Sequence, residues 1–236
     1  MALTDQAPRN PDGVVWSSNG AGSAQSNVSY DIIPGIGENS TTTNSVPIYV
    51  DAQTSFNTTY SNTSTFPFPS GSFSSCDGRT NGACNSANIL TFYKAFVTNY
   101  GIGSSPYALS AGPTTTSYYA AGRCTATISG YSDWYLPAIC EMGPEANGSG
   151  CSATSTQNIV SQLRDLLGDP NAGDPSTSCT YAANCLAGYY WSSTEDAGLP
   201  ANSAWGQNFA SGGGSNQLNG NKISTLGVRC SRALTL

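Results

Sequence analysis

The chain has 236 residues, of which only 9% are charged, and it carries eight Lys+Arg, no histidine and a formal net charge of −6. About a quarter of an average soluble domain is charged, so this surface is hydrophilic without being ionic, as is common among secreted and cell-surface β-rich proteins. The composition excludes the basic stripe that nucleic-acid binding requires. The absence of histidine excludes Ser-His-Asp and Cys-His catalysis and HExxH zinc sites.

The eight cysteines form an even set without a CxxC pair. This pattern favours disulfides in an oxidising compartment over structural zinc, and we expect neither a metal nor a cofactor. No apolar run approaches the roughly 18 residues of a membrane helix. Met1-Ala2-Leu3 begins no signal peptide. We therefore expect an extracellular or outer-surface protein whose export signal or anchor is absent from this sequence.

The N-terminal part, residues 1–75, is rich in Gly, Ser, Asn and Pro. Within it, Val14–Trp16 is predicted to be the first strand of a sheet, and the remainder is predicted to form long loops. Thr54–Ser75 is the most Ser/Thr/Asn-rich stretch and is interpreted as an ordered surface loop.

The strongest helix signal is Asn85–Tyr100. Ile89, Phe92, Tyr93, Phe96, Val97 and Tyr100 recur at helical spacing and predict one apolar stripe facing the core. Asn85 or Ser86 is expected to cap the start, and Gly101 to end the helix.

Two further helices are predicted, both with a stripe of apolar residues. Ser117–Cys124 is a short one, with Tyr118, Ala121 and Cys124 on one face. Thr156–Leu167 is longer and is stopped by Gly168-Asp169-Pro170. Between them, Tyr131–Pro137 is expected to be extended, because a proline disfavours helix at the preceding residue.

Three aromatic or apolar strand candidates follow: Tyr189–Ser193, Ala204–Ala210 and Ser224–Cys230. Gly- and Asn-rich segments separate them, which predicts an antiparallel meander with exposed loops. Alternation along the second strand would place Trp205, Gln207 and Phe209 on one face, with Trp205 lying beside Phe209 in the core. Arg229 is expected to be structural, pairing with backbone carbonyls or a carboxylate.

Four motifs occur in order along the chain: DWYLPAxxE from Asp133, YWSSTE from Tyr190, AWxxxF from Ala204 and GVRCSR from Gly227. As an ordered set they resemble the Lcl C-terminal-like family of bacterial collagen-like adhesins, a branch of the C-type lectin-like fold near the formylglycine-generating-enzyme subgroup. The resemblance covers about Tyr118 to Leu236. It implies an α+β fold with a small antiparallel sheet, flanking helices, long loops and disulfides, in which Trp134 and Trp191 are mainly buried.

On this basis residues 1–236 are interpreted as a single C-type lectin-like domain, with 1–75 an elaborated N-terminal part and 76–236 the family-like core. Neighbouring cysteines are predicted to pair as Cys76–Cys84, Cys140–Cys151 and Cys179–Cys185. The resemblance suggests a fourth, long-range disulfide, Cys124–Cys230, between the short helix and the final strand.

In C-type lectin-like folds the C-terminal meander commonly makes the ligand face. The polar residues of its loops and outward strand positions are therefore the candidate ligand-binding residues: Asp196, Asn202, Ser203, Gln207, Asn208, Ser215, Asn216, Gln217, Asn219 and Asn221. We expect these side chains to be mostly solvated. The acidic residues Glu141, Glu145, Glu195 and Asp196 could form a glycosidase-type pair, but solvated loop acids are the expectation. The lectin calcium triplets are absent.

Three classes of function remain open. The first is a surface-displayed or secreted binding protein, not an enzyme, whose Asn-rich C-terminal face is a target of a diversity-generating retroelement. The second is a fixed adhesin for host or environmental polysaccharide, for which a homotrimer is plausible, although the acidic balance fits sulfated glycans poorly. The third is an enzyme descended from the formylglycine-generating subgroup. The expected partner is a protein or glycan on a cell surface, with no nucleic acid and no transmembrane segment.

Overall fold

A computed structural model describes residues 1–2, 5–7, 13–17, 32–39, 72–100, 115–144, 148–151, 158–160, 186, 188–200, 202–209 and 216–233. Within these ranges the helices are α1 (Gly82–Tyr100) and α2 (Ile139–Met142), with two 3-10 segments at Thr116–Tyr118 and Ala121–Thr125. The strands are β1 (Tyr189–Glu195), β2 (Ser203–Asn208) and β3 (Asn216–Asn221). The protein is thus α+β with a small antiparallel sheet, as the sequence predicts.

The sheet has the order β1-β2-β3, and both strand pairs are antiparallel. The predictions of the first two strands are confirmed, but the third was misplaced. β3 lies in the Asn-rich segment that was predicted to be loop, and it pairs with the whole of β2, from Ser203↔Asn221 to Asn208↔Asn216. Asn and Gly have low strand propensity, so only the backbone pairing with β2 identifies this strand.

The apolar segment Ser224–Cys230 is not a strand but forms isolated bridges, one to β1 at Tyr190↔Gly227 and two to the N-terminal part of the chain at Val14↔Leu226 and Ala7↔Val228. Leu226, Val228 and Cys230 are buried, so the apolar character of the segment reflects its place in the core and not a strand. Val14–Trp16 is likewise not a strand: only Val14 bridges to this segment, through two hydrogen bonds with Leu226 of 3.0 and 3.1 Å.

Helix α1 starts three residues earlier than predicted. Its cap is Asn81, whose side-chain oxygen accepts the Cys84 N–H at 3.0 Å. Asn85 and Ser86 lie inside the helix instead, and their buried side chains hold neighbouring loops: Asn85 donates to Gly78 O at 2.7 Å, and Ser86 exchanges hydrogen bonds with the Leu136 backbone. The predicted termination at Gly101 lies outside the described residues.

The first half of the predicted apolar stripe of α1 is core, as expected. Ile89, Phe92 and Tyr93 are at most 1% exposed, and Tyr93 stacks on Tyr119 with ring centroids 3.9 Å apart. The side chains of Phe96 and Tyr100 lie outside the described part of the chain.

The predicted short helix is replaced by the two 3-10 segments, and its side chains do not share one face. Tyr118 is exposed, whereas Tyr119, Ala121 and Cys124 are buried. The predicted helix Thr156–Leu167 is described only at residues 158–160, of which Ile159 and Val160 are helical.

Both faces of the sheet are covered. On one face Trp191 and Ala204 join the main core with Trp16 and α1. On the other face Tyr190 and Phe209 pack with Met142, while Trp205 packs with Ile139 and the Cys140–Cys151 disulfide. Trp205 and Phe209 therefore lie in separate clusters, contrary to the expectation. Trp191 is fully buried and Trp134 partly buried.

The structure contains three of the predicted disulfides: Cys76–Cys84, Cys140–Cys151 and the long-range Cys124–Cys230. The fourth, Cys179–Cys185, lies outside the described residues. Among the helices that the structure describes, none has the length and apolar character needed to cross a membrane.

Candidate functional site

The DWYLPAxxE motif is organised around Glu141. Its carboxylate accepts the backbone N–H of Ala138 at 2.7 Å and that of Gly82, the first residue of α1, at 3.2 Å. The Tyr135 hydroxyl donates to its other oxygen at 3.4 Å. Glu141 is therefore a structural tie between α1 and α2, not the solvated loop acid that was expected.

Burial raises the pKa of Glu141 to about 7, although its hydrogen bonds oppose the shift. In an unfolded chain the pKa is about 4.3, so between these values the folded protein binds a proton that the unfolded chain does not. The contribution to stability is fully present below the unfolded pKa and is lost as the pH rises through 7.

As the pH rises from 5 to 8, we expect the free energy of unfolding to fall less in the Glu141→Gln variant than in the parent. The difference should be about 1–2 kcal/mol. Glutamine can accept the same two N–H groups but does not titrate. Urea denaturation at several pH values measures the effect. Parallel stability curves for parent and variant would show that Glu141 does not titrate in this range.

The polar residues of the YWSSTE motif are also structural. Ser192 donates to Trp205 O at 2.6 Å, and Ser193 accepts the Asn85 amide at 3.2 Å. Thr194 donates to Gly78 O at 2.7 Å and accepts the Ile139 N–H at 2.9 Å. β1 is therefore joined by side chains to β2, α1 and α2, and these groups are not available to a ligand.

Glu195 ends β1 and is fully buried, also contrary to the expectation for a loop acid. It forms an ion pair with Lys222, which is equally buried, and it accepts the Ile33 N–H at 3.3 and 3.4 Å. Lys222 also donates to Pro200 O at 2.6 Å and lies 4.4 Å from the centroid of the Trp16 ring. Glu145 lies outside the described residues.

The GVRCSR motif supplies two arginine contacts. Arg229 is fully buried, pairs with Asp5 at 2.5–2.7 Å and donates to Ala2 O at 3.1 Å, which confirms its predicted structural role. Arg232 lies at the surface and pairs with Asp133 of the first motif.

The candidate ligand residues divide into two groups. Four of them are at most 9% exposed, which corrects the expectation that they are solvated: Asp196, Ser203, Gln207 and Gln217. Gln217 donates to Ile139 O, Gly143 O and Gln207 Oε1 at 2.8–3.2 Å, and Ser149 donates to its oxygen. This buried network attaches the sheet to the Cys140–Cys151 loop, so Gln207 and Gln217 position the hairpin from beneath.

The second group is accessible. Asn216, Asn219 and Asn221 on β3 are exposed, and Asn202 and Asn208 are half-buried; Ser215 lies outside the described part of the chain. In the order of described strands β3 is at the edge of the sheet. By alternation, one face of β3 carries Gln217, Asn219 and Asn221. Gln217 is buried on this face, whereas Asn219 and Asn221 are exposed to solvent.

The connection between β1 and β2 adds a residue that sequence analysis missed. Leu199 is 54% exposed on a turn held by its own backbone, with Leu199 N–H bonded to Asp196 O at 3.1 Å and Ser203 N–H to Leu199 O at 2.9 Å. The Asp196 carboxylate accepts the Asn219 amide at 2.7 Å, which joins this turn to β3. The sequence signal for this exposed position was an apolar residue between a glycine and a proline, which favour a turn. We name the exposed side chains around this hairpin, Leu199, Asn216, Asn219 and Asn221, the hairpin face; by alternation Asn216 lies on the other side of β3 from Asn219 and Asn221.

No cluster of three or more metal-binding side chains occurs among the described residues. Comparisons with protein-family models, curated proteins and solved structures find no match to this chain. The assignment to the Lcl C-terminal-like family and to the C-type lectin-like fold therefore stays a prediction from the sequence motifs.

Proposed function

We propose that this protein is a secreted or surface-displayed binding protein with a C-type lectin-like fold, and that the hairpin face recognises its ligand. The observation that carries the proposal is that the polar side chains fall into a buried, structural set and an exposed set. Most polar groups of the sequence motifs form buried structural contacts, and Asp133 and Arg232 pair with each other at the surface, whereas the asparagines of β3 are exposed on a sheet packed on both faces.

A rigid support with short polar side chains at its surface is a suitable recognition site, because little conformational entropy is lost on binding. Variation at exposed edge-strand positions would also leave the core intact, which suits diversification by a retroelement. All six described cysteines are in disulfides, which favours binding over the cysteine chemistry of the formylglycine-generating subgroup.

We expect the triple variant Asn216→Ala, Asn219→Ala, Asn221→Ala to lose binding to intact cell surfaces in a pull-down. At an interface, each lost hydrogen-bonding group costs about 1–3 kcal/mol. In the free protein the side chains are exposed, and the substitutions remove the hydrogen bonds of Asn219 to Asp196 and of Ile223 N–H to Asn221 at the surface, so the melting temperature should fall by only a few degrees.

The matched control is Lys94→Ala with Thr98→Ala, two exposed positions on α1, which should bind like the parent. A triple variant that is folded and still binds would place the ligand face elsewhere. A near-identical template repeat beside the gene would select the diversified protein over a fixed polysaccharide adhesin.

A further inference from the structure

The side-chain amides of Asn219 and Asn221 on the hairpin face are held in opposite orientations. An amide donates through its nitrogen and accepts through its oxygen, so the contact that it makes within the protein decides which atom is left for a ligand. Both residues are exposed on one face of β3, and residues two apart on an extended strand are separated by about 6.4–6.8 Å. The two orientations therefore set the hydrogen-bonding pattern of this face.

Asn219 is oriented by Asp196, which is only 5% exposed. The Asn219 Nδ2 donates to Asp196 Oδ2 at 2.7 Å, and the other oxygen of Asp196 accepts the Gly198 N–H at 2.9 Å. Because a carboxylate only accepts hydrogen bonds, the nitrogen of Asn219 has to face it. The oxygen of Asn219 is then left for a ligand, and this position presents an acceptor.

Asn221 is oriented the other way by the main chain that follows β3. Its Oδ1 accepts the Ile223 N–H at 3.3 Å, as in an Asx-turn, and its backbone oxygen accepts the Ser224 N–H at 2.8 Å. A backbone N–H only donates, so the oxygen of the Asn221 amide has to face it. The nitrogen is left for a ligand, and this position presents a donor.

We propose that Asp196 determines the specificity of the hairpin face by fixing Asn219 as an acceptor, so that the ligand donates to Asn219 and accepts from Asn221. This inference rests on the proposed function, and Asp196 is in it a positioning residue that acts through Asn219. A ligand with the reverse order would place donor against donor and acceptor against acceptor, and buried groups without partners cost affinity. The ligand is thus a group with both a donor and an acceptor, not one that only accepts, such as a sulfate, or only donates, such as an ammonium.

The test uses two substitutions that reverse one group each with little change in size. In Asp196→Asn, the new amide keeps its oxygen on the Gly198 N–H and turns its nitrogen towards Asn219, whose amide has to rotate and present Nδ2. In Asn221→Asp, the carboxylate still accepts the Ile223 N–H, but an oxygen replaces the outward nitrogen. The readout is the concentration of the labelled full chain that half-saturates intact cell surfaces. Each variant should raise it at least about tenfold, with a melting temperature within a few degrees of the parent.

Net charge is controlled within this pair, because one substitution removes an acidic residue and the other adds one. An effect of net charge would weaken binding in one variant and strengthen it in the other, whereas reversed hydrogen bonding weakens both. Asp133→Asn is the matched control, since it removes the same charge from the surface pair with Arg232, outside the hairpin face. It should bind like the parent.

The double variant Asp196→Asn, Asn219→Asp exchanges the two side chains and keeps the net charge of the parent. The amide at position 196 can donate to the carboxylate at position 219, which again presents an acceptor. We expect it to recover most of the affinity that Asp196→Asn loses. A readout that needs no ligand is the solvent exchange of the Asn219 Nδ2 protons in NMR, which should be faster in Asp196→Asn than in the parent.

The outcomes separate this inference from the proposed function. If the triple Asn→Ala variant loses binding but Asp196→Asn binds like the parent, Asp196 does not set the specificity, and the hairpin face remains the binding site. A double variant as weak as Asp196→Asn, or Asn219 exchange that Asp196→Asn leaves unchanged, would also overturn the role of Asp196. A triple variant that still binds would refute the proposed function, and this inference with it.

Discussion

Replacing both Cys124 and Cys230 by alanine should destabilise the protein by about 4–5 kcal/mol in the chain-entropy account of disulfides. The bond joins residues 106 apart in sequence, and a cross-link over so long a loop removes many conformations from the unfolded chain. Both cysteines are at most 1% exposed in the main core, so the loss of packing adds to the effect. Denaturant unfolding of parent and variant under non-reducing conditions measures it.

The control is the Cys76→Ala, Cys84→Ala variant, whose disulfide spans only eight residues. The same account gives about 2.5 kcal/mol for a loop of that length, so the long-range bond should matter more by about 2 kcal/mol. Equal losses for the two variants would show that loop length does not decide the contribution of these disulfides.

Lys222→Met should destabilise the folded state by about 3–5 kcal/mol near pH 7.5, because it leaves the buried Glu195 carboxylate without its counter-charge. It also removes the hydrogen bond to Pro200 O and the contact with Trp16. Burial raises the pKa of Glu195 to about 7 even with Lys222 beside it. Without Lys222 that pKa should rise further, so the deficit should grow as the pH rises from 5 to 8.

Two variants make the Lys222 prediction specific. Lys222→Met combined with Glu195→Gln should be more stable than the single variant by at least about 1 kcal/mol, since no charge is left buried. Arg232→Met in the surface pair with Asp133 should destabilise the protein much less, because solvent screens that pair. A Lys222→Met protein as stable as Arg232→Met would mean that the buried pair contributes no more than a surface pair.

Part of the fold could be predicted because it depends on neighbours in the sequence. The stripe of Ile89, Phe92 and Tyr93 follows helical spacing, and aromatic-centred segments between Gly- and Asn-rich stretches mark β1 and β2 as strands. Cys76–Cys84 and Cys140–Cys151 are the nearest available partners. The Cys124–Cys230 pairing depended instead on the resemblance of the motifs to a family, because nothing local joins residues so far apart.

The candidate site could be predicted only as a region. Asn216, Asn219 and Asn221 are exposed as expected, but Gln207 and Gln217 have the same polar character in the sequence and are buried. The difference comes from α2 and the Cys140–Cys151 loop, which cover one end of the hairpin and supply two backbone oxygens to the Gln217 amide. Leu199 was missed because only polar residues were considered as candidate ligand-binding residues.

The sequence by itself therefore determined the position of α1, the first two strands and the local disulfides, because periodicity and nearest-neighbour pairing are local properties, whereas the α+β class followed from the resemblance of the motifs. Only the tertiary structure decided that polar Asn216–Asn221 is a strand, that Glu195 pairs with Lys222 in the interior and that Arg232 pairs with Asp133 at the surface. Each of these depends on hydrogen bonds or charges supplied by a distant segment. The chemistry of a side chain determines which hydrogen-bond or charge partners it requires. The tertiary structure decides whether those partners are protein groups in the interior or water at the surface.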